Sequence, residues 1–248
     1  MVFTYSVSLQ GYKEKITKEG FSKVIYKKKS TNEDTYLDDL CKEIKSGYVF
    51  AHVFKVKDEQ QFTSFRNFSN SNFLSTNIVP MDLDSVSIEM DDLIKNLTIQ
   101  PTILYTTFSH EDKPLQRRYR LLYVFNNPIN GKQEYQSVYN AIASKIREDL
   151  KGCEELDDEK LDIHMRNCTQ VFIGSKSNCD LINNYTTYDK RRFISISGSN
   201  SSKVDNVKMN EVDNSIKTHI ETNSDTLTNT TKKEKPKSNN NNSTKNSN

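Results

Sequence analysis

An α+β fold with a split β-α-β core, in the order β-α-β-β-α-β, is predicted for residues 73–196 by three observations. Four short runs are rich in β-branched and aromatic residues, the composition of buried strands. Two longer stretches repeat apolar residues at helical spacing, one between the first and second runs and one between the third and fourth. Pro, Asn and Gly fall between the elements, where turns belong.

The first strand is Asn77-Ile-Val-Pro-Met-Asp-Leu-Asp84, an apolar run closed by two acids. The helix after it carries Met90, Leu93, Ile94 and Leu97 on one face, at the i, i+3, i+4, i+7 spacing. Thr102-Ile-Leu-Tyr-Thr-Thr-Phe-Ser109 forms the second strand, and a turn with Pro114 leads into the third, Arg118-Tyr-Arg-Leu-Leu-Tyr-Val-Phe125. Beyond Asn127-Pro128 and Gly131, Tyr135, Val138, Tyr139, Ile142 and Ile146 make the second helical stripe, and Thr169-Gln-Val-Phe-Ile173 is the fourth strand. This order belongs to ferredoxin-like and RNA-recognition-motif-like sheets.

Residues 1–72 read as an N-terminal α/β portion, with a helix through Leu37, Leu40, Cys41 and Ile44 and a strand over 48–56. The run Lys27-Lys28-Lys29 reads as a solvated turn, since charge runs usually face water. From about Ser197 aromatics vanish and Ser, Asn, Thr and Lys dominate. Too little apolar surface remains to offset the entropy of ordering the chain, so residues 197–248 are expected to be a disordered tail.

Charge and cysteine content remove several function classes. The chain of 248 residues carries 35 basic and 33 acidic side chains, and the two signs are equal in number over residues 1–195. A global nucleic-acid signature is therefore absent, and a nucleic-acid site must be a local patch. No apolar run approaches the roughly 20 residues that span a bilayer, and the start lacks a signal-peptide layout, so a cytoplasmic protein without membrane contact is expected. Cys41, Cys153, Cys168 and Cys179 lack paired spacing, which argues for reduced thiols and against structural zinc through His164, Cys168 and Cys179. No His-x-His pair occurs, which disfavours rolling-circle initiation.

The predicted topology gathers polar groups. Right-handed crossovers make strands 1 and 2 run one way and strands 3 and 4 the other. The ends of the first pair and the starts of the second then share one sheet edge. That edge carries Asp82 and Asp84, Ser109 and His110, Arg118 and Arg120, and Asp162 with Arg166. Residues two apart in a strand share a face, so Asp82 and Asp84 point together, as do Arg118 and Arg120. Taken singly, each has a bland alternative: a strand-end turn for the acids, a solvated strand face for the arginines, a loop residue for His110. Jointly they suit metal-assisted phosphoryl transfer, with carboxylates for a hard divalent ion and arginines for a triphosphate.

Met-Asp-Leu-Asp (81–84), Tyr-Thr-Thr-Phe-Ser-His (105–110), Arg-Tyr-Arg-Leu-Leu-Tyr-Val-Phe (118–125) and Leu-Asp-Ile-His-Met-Arg-Asn-Cys-Thr-Gln-Val-Phe-Ile-Gly (161–174) occur in this order. Together they resemble the archaeo-eukaryotic primase superfamily, in particular the primase-polymerase domains of phages, plasmids and integrated elements. The resemblance implies Mg²⁺ or Mn²⁺ at Asp82, Asp84 and Asp162. It also implies nucleotide-phosphate contact by His110 and support from Arg120, with Ser109, Arg118 and Arg166 completing the expected nucleotide site. The implied activity is primer synthesis from nucleoside triphosphates on a single-stranded DNA template, with a separate replicative helicase as a candidate partner. Thr107 stands where relatives carry the first serine of a Ser-x-Ser-His motif, which keeps the hydroxyl. Two rival readings are an inactive primase remnant and a non-catalytic single-strand-binding module that would use Tyr119, Tyr123 and Phe172 as stacking platforms. A third is a host-interaction protein that works through its tail.

Overall fold

The computed structural model describes residues 2–194, so the expected tail at 197–248 lies outside the described residues. The chain runs β1 (Val2–Ser8), α1 (Lys18–Phe21), β2 (Ile25–Asn32), α2 (Glu33–Lys45), β3 (Val49–Ala51), β4 (Val53–Phe54), β5 (Phe62–Thr63) and α3 (Ser64–Asn67). It continues with β6 (Phe73–Val86), α4 (Met90–Asn96), β7 (Ile103–Thr106), β8 (Arg117–Asn130), α5 (Gly131–Leu150), a 3₁₀ turn (Ile163–Arg166), β9 (Phe172–Ile173) and β10 (Leu181–Asn183). The result is a mixed α/β fold with two five-stranded sheets, ordered β5-β2-β1-β3-β9 and β10-β7-β8-β6-β4, in which every strand pair is antiparallel. Among the described residues no helix is long and apolar enough to cross a membrane.

β3 and β4 are one extended stretch that leaves the first sheet and enters the second at His52. That corner is buried, and its polar groups are satisfied: the carbonyl of His52 accepts from Ser6 Oγ at 2.7 Å, and Nδ1 lies 2.9 Å from Thr76 Oγ1. Burial pushes the His52 ring pKa down to about 3, because charging it would strip an imidazolium of water.

The second sheet carries Asp82 and Asp84 on β6 and Arg118 and Arg120 on β8. β6 and β7 both pair with β8, giving the order β7-β8-β6 with β6 and β7 pointing the same way, as in the first three strands of the expected split core. The fourth strand departs from expectation. Phe172 and Ile173 pair with Phe50 and Val49 of the first sheet, where the Phe172 ring stacks on Phe50 at 5.1 Å. The positions beside β6 are taken instead by β4 and by an isolated bridge from Leu83 to Leu161. A two-residue strand has little pairing preference of its own, so burial of Phe172 against another aromatic decides its sheet.

Other elements are longer or shorter than their sequence signals. β8 runs on through Pro128 to Asn130, beyond the break expected at Asn127-Pro128. Lys27–Lys29 lie within β2 and not in a turn, with Lys28 Nζ at 2.7 Å from Glu59 and Lys29 Nζ at 2.7 Å from Glu43. The stripe of α5 is buried as its period requires, with Tyr135, Val138, Tyr139, Ile142 and Ile146 inside.

Candidate active site

Asp82 sits directly opposite Arg120 in the β6–β8 register. The two form a fork: Arg120 Nε donates to Asp82 Oδ1 and Nη2 to Oδ2. Arg120 Nη1 donates to the Ile173 carbonyl at 2.7 Å, and the guanidinium lies 5.9 Å from the centre of the Phe172 ring. Burial alone would lower the Arg120 pKa. The Asp82 carboxylate, with Tyr105, more than offsets this and leaves it raised. Asp82 and Arg120 thus form a buried, mutually neutralised pair that also ties the second sheet to β9.

Two residues along, nearer to solvent and where the regular pairing ends, a second and looser acid–arginine pair follows. Asp84 faces Arg118, with Nη1 at 3.8 Å from Oδ1, and both are partly exposed. The strand is irregular here, with a register shift between Leu83 and Val86 and Ser85 in the left-handed region at φ 57°. Such bulges re-aim side chains beside functional sites. Burial raises the Asp84 pKa first, the negative charge of Asp82 raises it further, Arg118 pulls it down, and Asp162 adds a smaller upward push.

Asp162 reaches this corner through backbone pairing. Its N–H donates to the Asp82 carbonyl at 3.1 Å, and the Asp84 N–H donates to the Lys160 carbonyl at 2.7 Å. Tyr139 Oη donates to the Asp162 carbonyl at 2.9 Å, and Asp162 Oδ1 caps the 3₁₀ turn by accepting from the His164 N–H at 2.9 Å. All three aspartates therefore lie on neighbouring backbone segments. Among the described residues, however, no three His, Cys, Asp or Glu side chains are gathered as a ready metal cage.

The donor set fits a hard divalent ion in its chemistry. It is all oxygen, and Asp84 feels two neighbouring carboxylates whose repulsion a cation would relieve. Asp84 and Asp162 keep unengaged carboxylate oxygens, whereas both oxygens of Asp82 already accept from Arg120.

Ser109, His110 and Arg118 line a cavity of about 600 Å³ next to this corner, with Ser85, Lys15 and Lys176. His110 Nδ1 accepts from the Arg118 N–H at 3.1 Å. Nδ1 also lies 3.3 Å from the Arg118 carbonyl oxygen, so backbone engages this nitrogen in either tautomer, and where it accepts from the Arg118 N–H the ring proton sits on Nε2. Arg166 lies in the 3₁₀ turn following Asp162 and does not line this cavity. Tyr119, Tyr123 and Phe172 are buried, the tyrosine hydroxyls donating to Ile88 and Ile99 carbonyls, so none can serve as an exposed stacking platform.

Lys15 and Lys176 were not legible as site residues. Lys15 belongs to a Lys-rich opening without periodicity, and Lys176 follows Gly174-Ser175, whose only signal was the glycine ending an apolar run.

No family model matches the chain, and no curated protein matches it. Among solved structures it is similar to the AEP domain of the primase-polymerase of cyanophage S-2L. That match has 12% identity and a TM-score of 0.39, and covers 78% of this chain and 88% of the other.

Proposed function

We propose that residues 2–194 form a primase-like nucleotidyltransferase that extends or starts a strand from nucleoside triphosphates on a single-stranded DNA template. The observation that carries this reading is the backbone pairing of the 160–162 segment with β6, which brings Asp162 beside Asp82 and Asp84, while Arg118, the ion-pair partner of Asp84, lines the adjoining basic cleft. Asp84 and Asp162, with the outer lone pairs of Asp82, would hold Mg²⁺ or Mn²⁺. Such an ion, when bound, neutralises the triphosphate and makes the attacking hydroxyl more acidic.

The chain's own groups have distinct tasks in this reading. Arg120 holds the Asp82 carboxylate fixed in direction through both of its oxygens. Arg118 is close enough to Asp84 to hold it at rest and exposed enough to turn to a phosphate. His110, with Nδ1 committed to backbone, offers Nε2–H as a donor to a phosphate oxygen, and Ser109 offers a hydroxyl beside it. Arg166 serves the template side or the turn that holds Asp162.

Primer synthesis on single-stranded DNA with Mg²⁺ or Mn²⁺ tests the proposal. Asp84→Asn and Asp162→Asn should each lower the rate by about 100-fold or more, the scale on which lost transition-state electrostatics act. Variants as active as the parent protein would overturn it. A second reading, a nucleotide binder without transfer, is favoured by the engagement of both Asp82 oxygens with Arg120. Nucleotide binding with no product under either metal would select it.

A further inference from the structure

We infer that Lys15 and Lys176 form a two-sided clamp for the phosphate chain of the nucleotide, a role that rests on the nucleotide-site reading above. The two lysines come from opposite ends of the described chain and line one cavity with Arg118 and Ser109. Lys15 Nζ donates to Ser109 Oγ at 2.9 Å, and neither lysine is paired with a carboxylate among the described residues. The cavity's acid, Glu111, is engaged by Lys113 at 3.2 Å. Two lysines therefore face one cleft without a carboxylate partner, beside Arg118, whose contact with Asp84 is a long 3.8 Å, and this set calls for an anion carrying several charges.

Both lysine-bearing segments are docked on the same stretch of backbone, the end of α2 and the turn after it. Tyr12 N–H donates to the Gly47 carbonyl at 3.0 Å, and a Cβ on Gly11 would come within 1.9 Å of the Ser46 carbonyl oxygen. On the other side, Gly174 N–H donates to the Tyr48 carbonyl and Ser175 N–H to the Ile44 carbonyl, each at 2.7 Å. Ser175 Oγ also donates to the Thr106 carbonyl. A clamp held this way loses little freedom on binding, which favours a preformed site over a chance meeting of flexible side chains. Lysine ammonium groups act as compact point charges for phosphate, so a chain of two or three phosphates is the ligand class.

Inorganic triphosphate is the probe, titrated calorimetrically into the full chain with EDTA present. Lys15→Gln and Lys176→Gln should each weaken binding roughly 10-fold and the double variant roughly 100-fold, since a hydrogen bond to a charged group is worth about one tenfold step or more. Lys15→Arg should restore much of the loss, and Lys57→Gln, exposed and outside the cleft, should change nothing. Thermal melting of each variant separates a lost contact from a lost fold. Unchanged affinity in a folded double variant overturns the clamp. So does a loss confined to oligothymidylate binding with triphosphate affinity intact, which would assign the lysines to the strand. If triphosphate binding depends on both lysines but no primer is ever made, the transfer reading fails and the clamp stands. Primer synthesis indifferent to both lysines gives the reverse.

Discussion

Replacing Arg120 by Met tests whether the Asp82 fork is a structural support of the site. The side chains of Arg120 and Asp82 are only 9% and 11% exposed, so the substitution leaves a carboxylate inside the protein with no counter-charge. Breaking one side of a buried pair costs about 3–5 kcal/mol. The lost bond to the Ile173 carbonyl adds about 1 kcal/mol. That total approaches the whole stability of an ordinary domain, about 5–15 kcal/mol. Because the penalty comes from the orphaned charge, Asp82→Leu combined with Arg120→Met should recover most of it, leaving the double variant more stable than Arg120→Met alone. Urea unfolding followed by circular dichroism gives the three free energies. A loss below about 1 kcal/mol for Arg120→Met, or a double variant equal to the sum of the singles, would refute the reasoning.

Stability should fall in mild acid through His52. Its folded pKa of about 3 lies below the unfolded value near 6.5, so the unfolded chain binds the extra proton between them. The contribution is complete above about pH 6.5 and is lost as the pH drops toward 3, about 2 kcal/mol of it by pH 5. His52→Gln should flatten the slope of unfolding free energy between pH 6.5 and 5, and an unchanged slope would remove His52 as its cause. Gly47→Ala should destabilise by roughly 1–3 kcal/mol, because φ is +70° and the new Cβ would meet the Tyr12 carbonyl oxygen at 1.9 Å. Gly152→Ala, with nothing within 4 Å of the new Cβ, should be neutral or slightly stabilising, and equal melting points for the two would contradict this account. Tyr105→Phe removes the hydroxyl that donates to Ile173 and should lower stability by about 1 kcal/mol in the same unfolding assay; a loss above about 3 would mean Tyr105 does more than that bond.

Elements with a strong period were legible in the sequence. Four of the five stripe residues of α5 are under 2% exposed and the fifth is at 2%, and α4 follows its expected face through Leu93 and Leu97. β6 was visible as an apolar run because it is buried along most of its length, though its full reach from Phe73 to Val86 depends on its long pairing with β8. β2 was hidden because three consecutive lysines present the same local pattern as a solvated turn, and their partners, Asp39 and Glu43 of α2 and Glu59, lie elsewhere in the sequence. The sheet joined by β9 was decided by Phe50, far away in sequence.

The site divides in the same way. Period-two geometry anticipated that Asp82 and Asp84, and Arg118 and Arg120, would share faces; Asp82 and Arg120 are a rung of the β6–β8 ladder, and Asp84 and Arg118 form a looser ion pair where the register shifts. Register decides which acid meets which arginine, and spacing within one strand does not contain it. Hence the phosphate contact expected of Arg120 meets a guanidinium already engaged on Asp82 and Ile173. Lys15 and Lys176 were beyond reach because loop docking on residues 44–48 positions them, and no local pattern records that docking.

The turn of the chain at His52 has a consequence for synthesis on the ribosome. β3 has β1 on one side as soon as the first fifty or so residues have emerged, but its other neighbour is β9. Until Phe172 is made, the edge formed by Val49 and Phe50 has an open ladder and an uncovered aromatic ring. Open apolar edges recruit other chains. A nascent or truncated polypeptide that stops short of residue 172 should therefore be sticky, and its cure lies more than a hundred residues downstream.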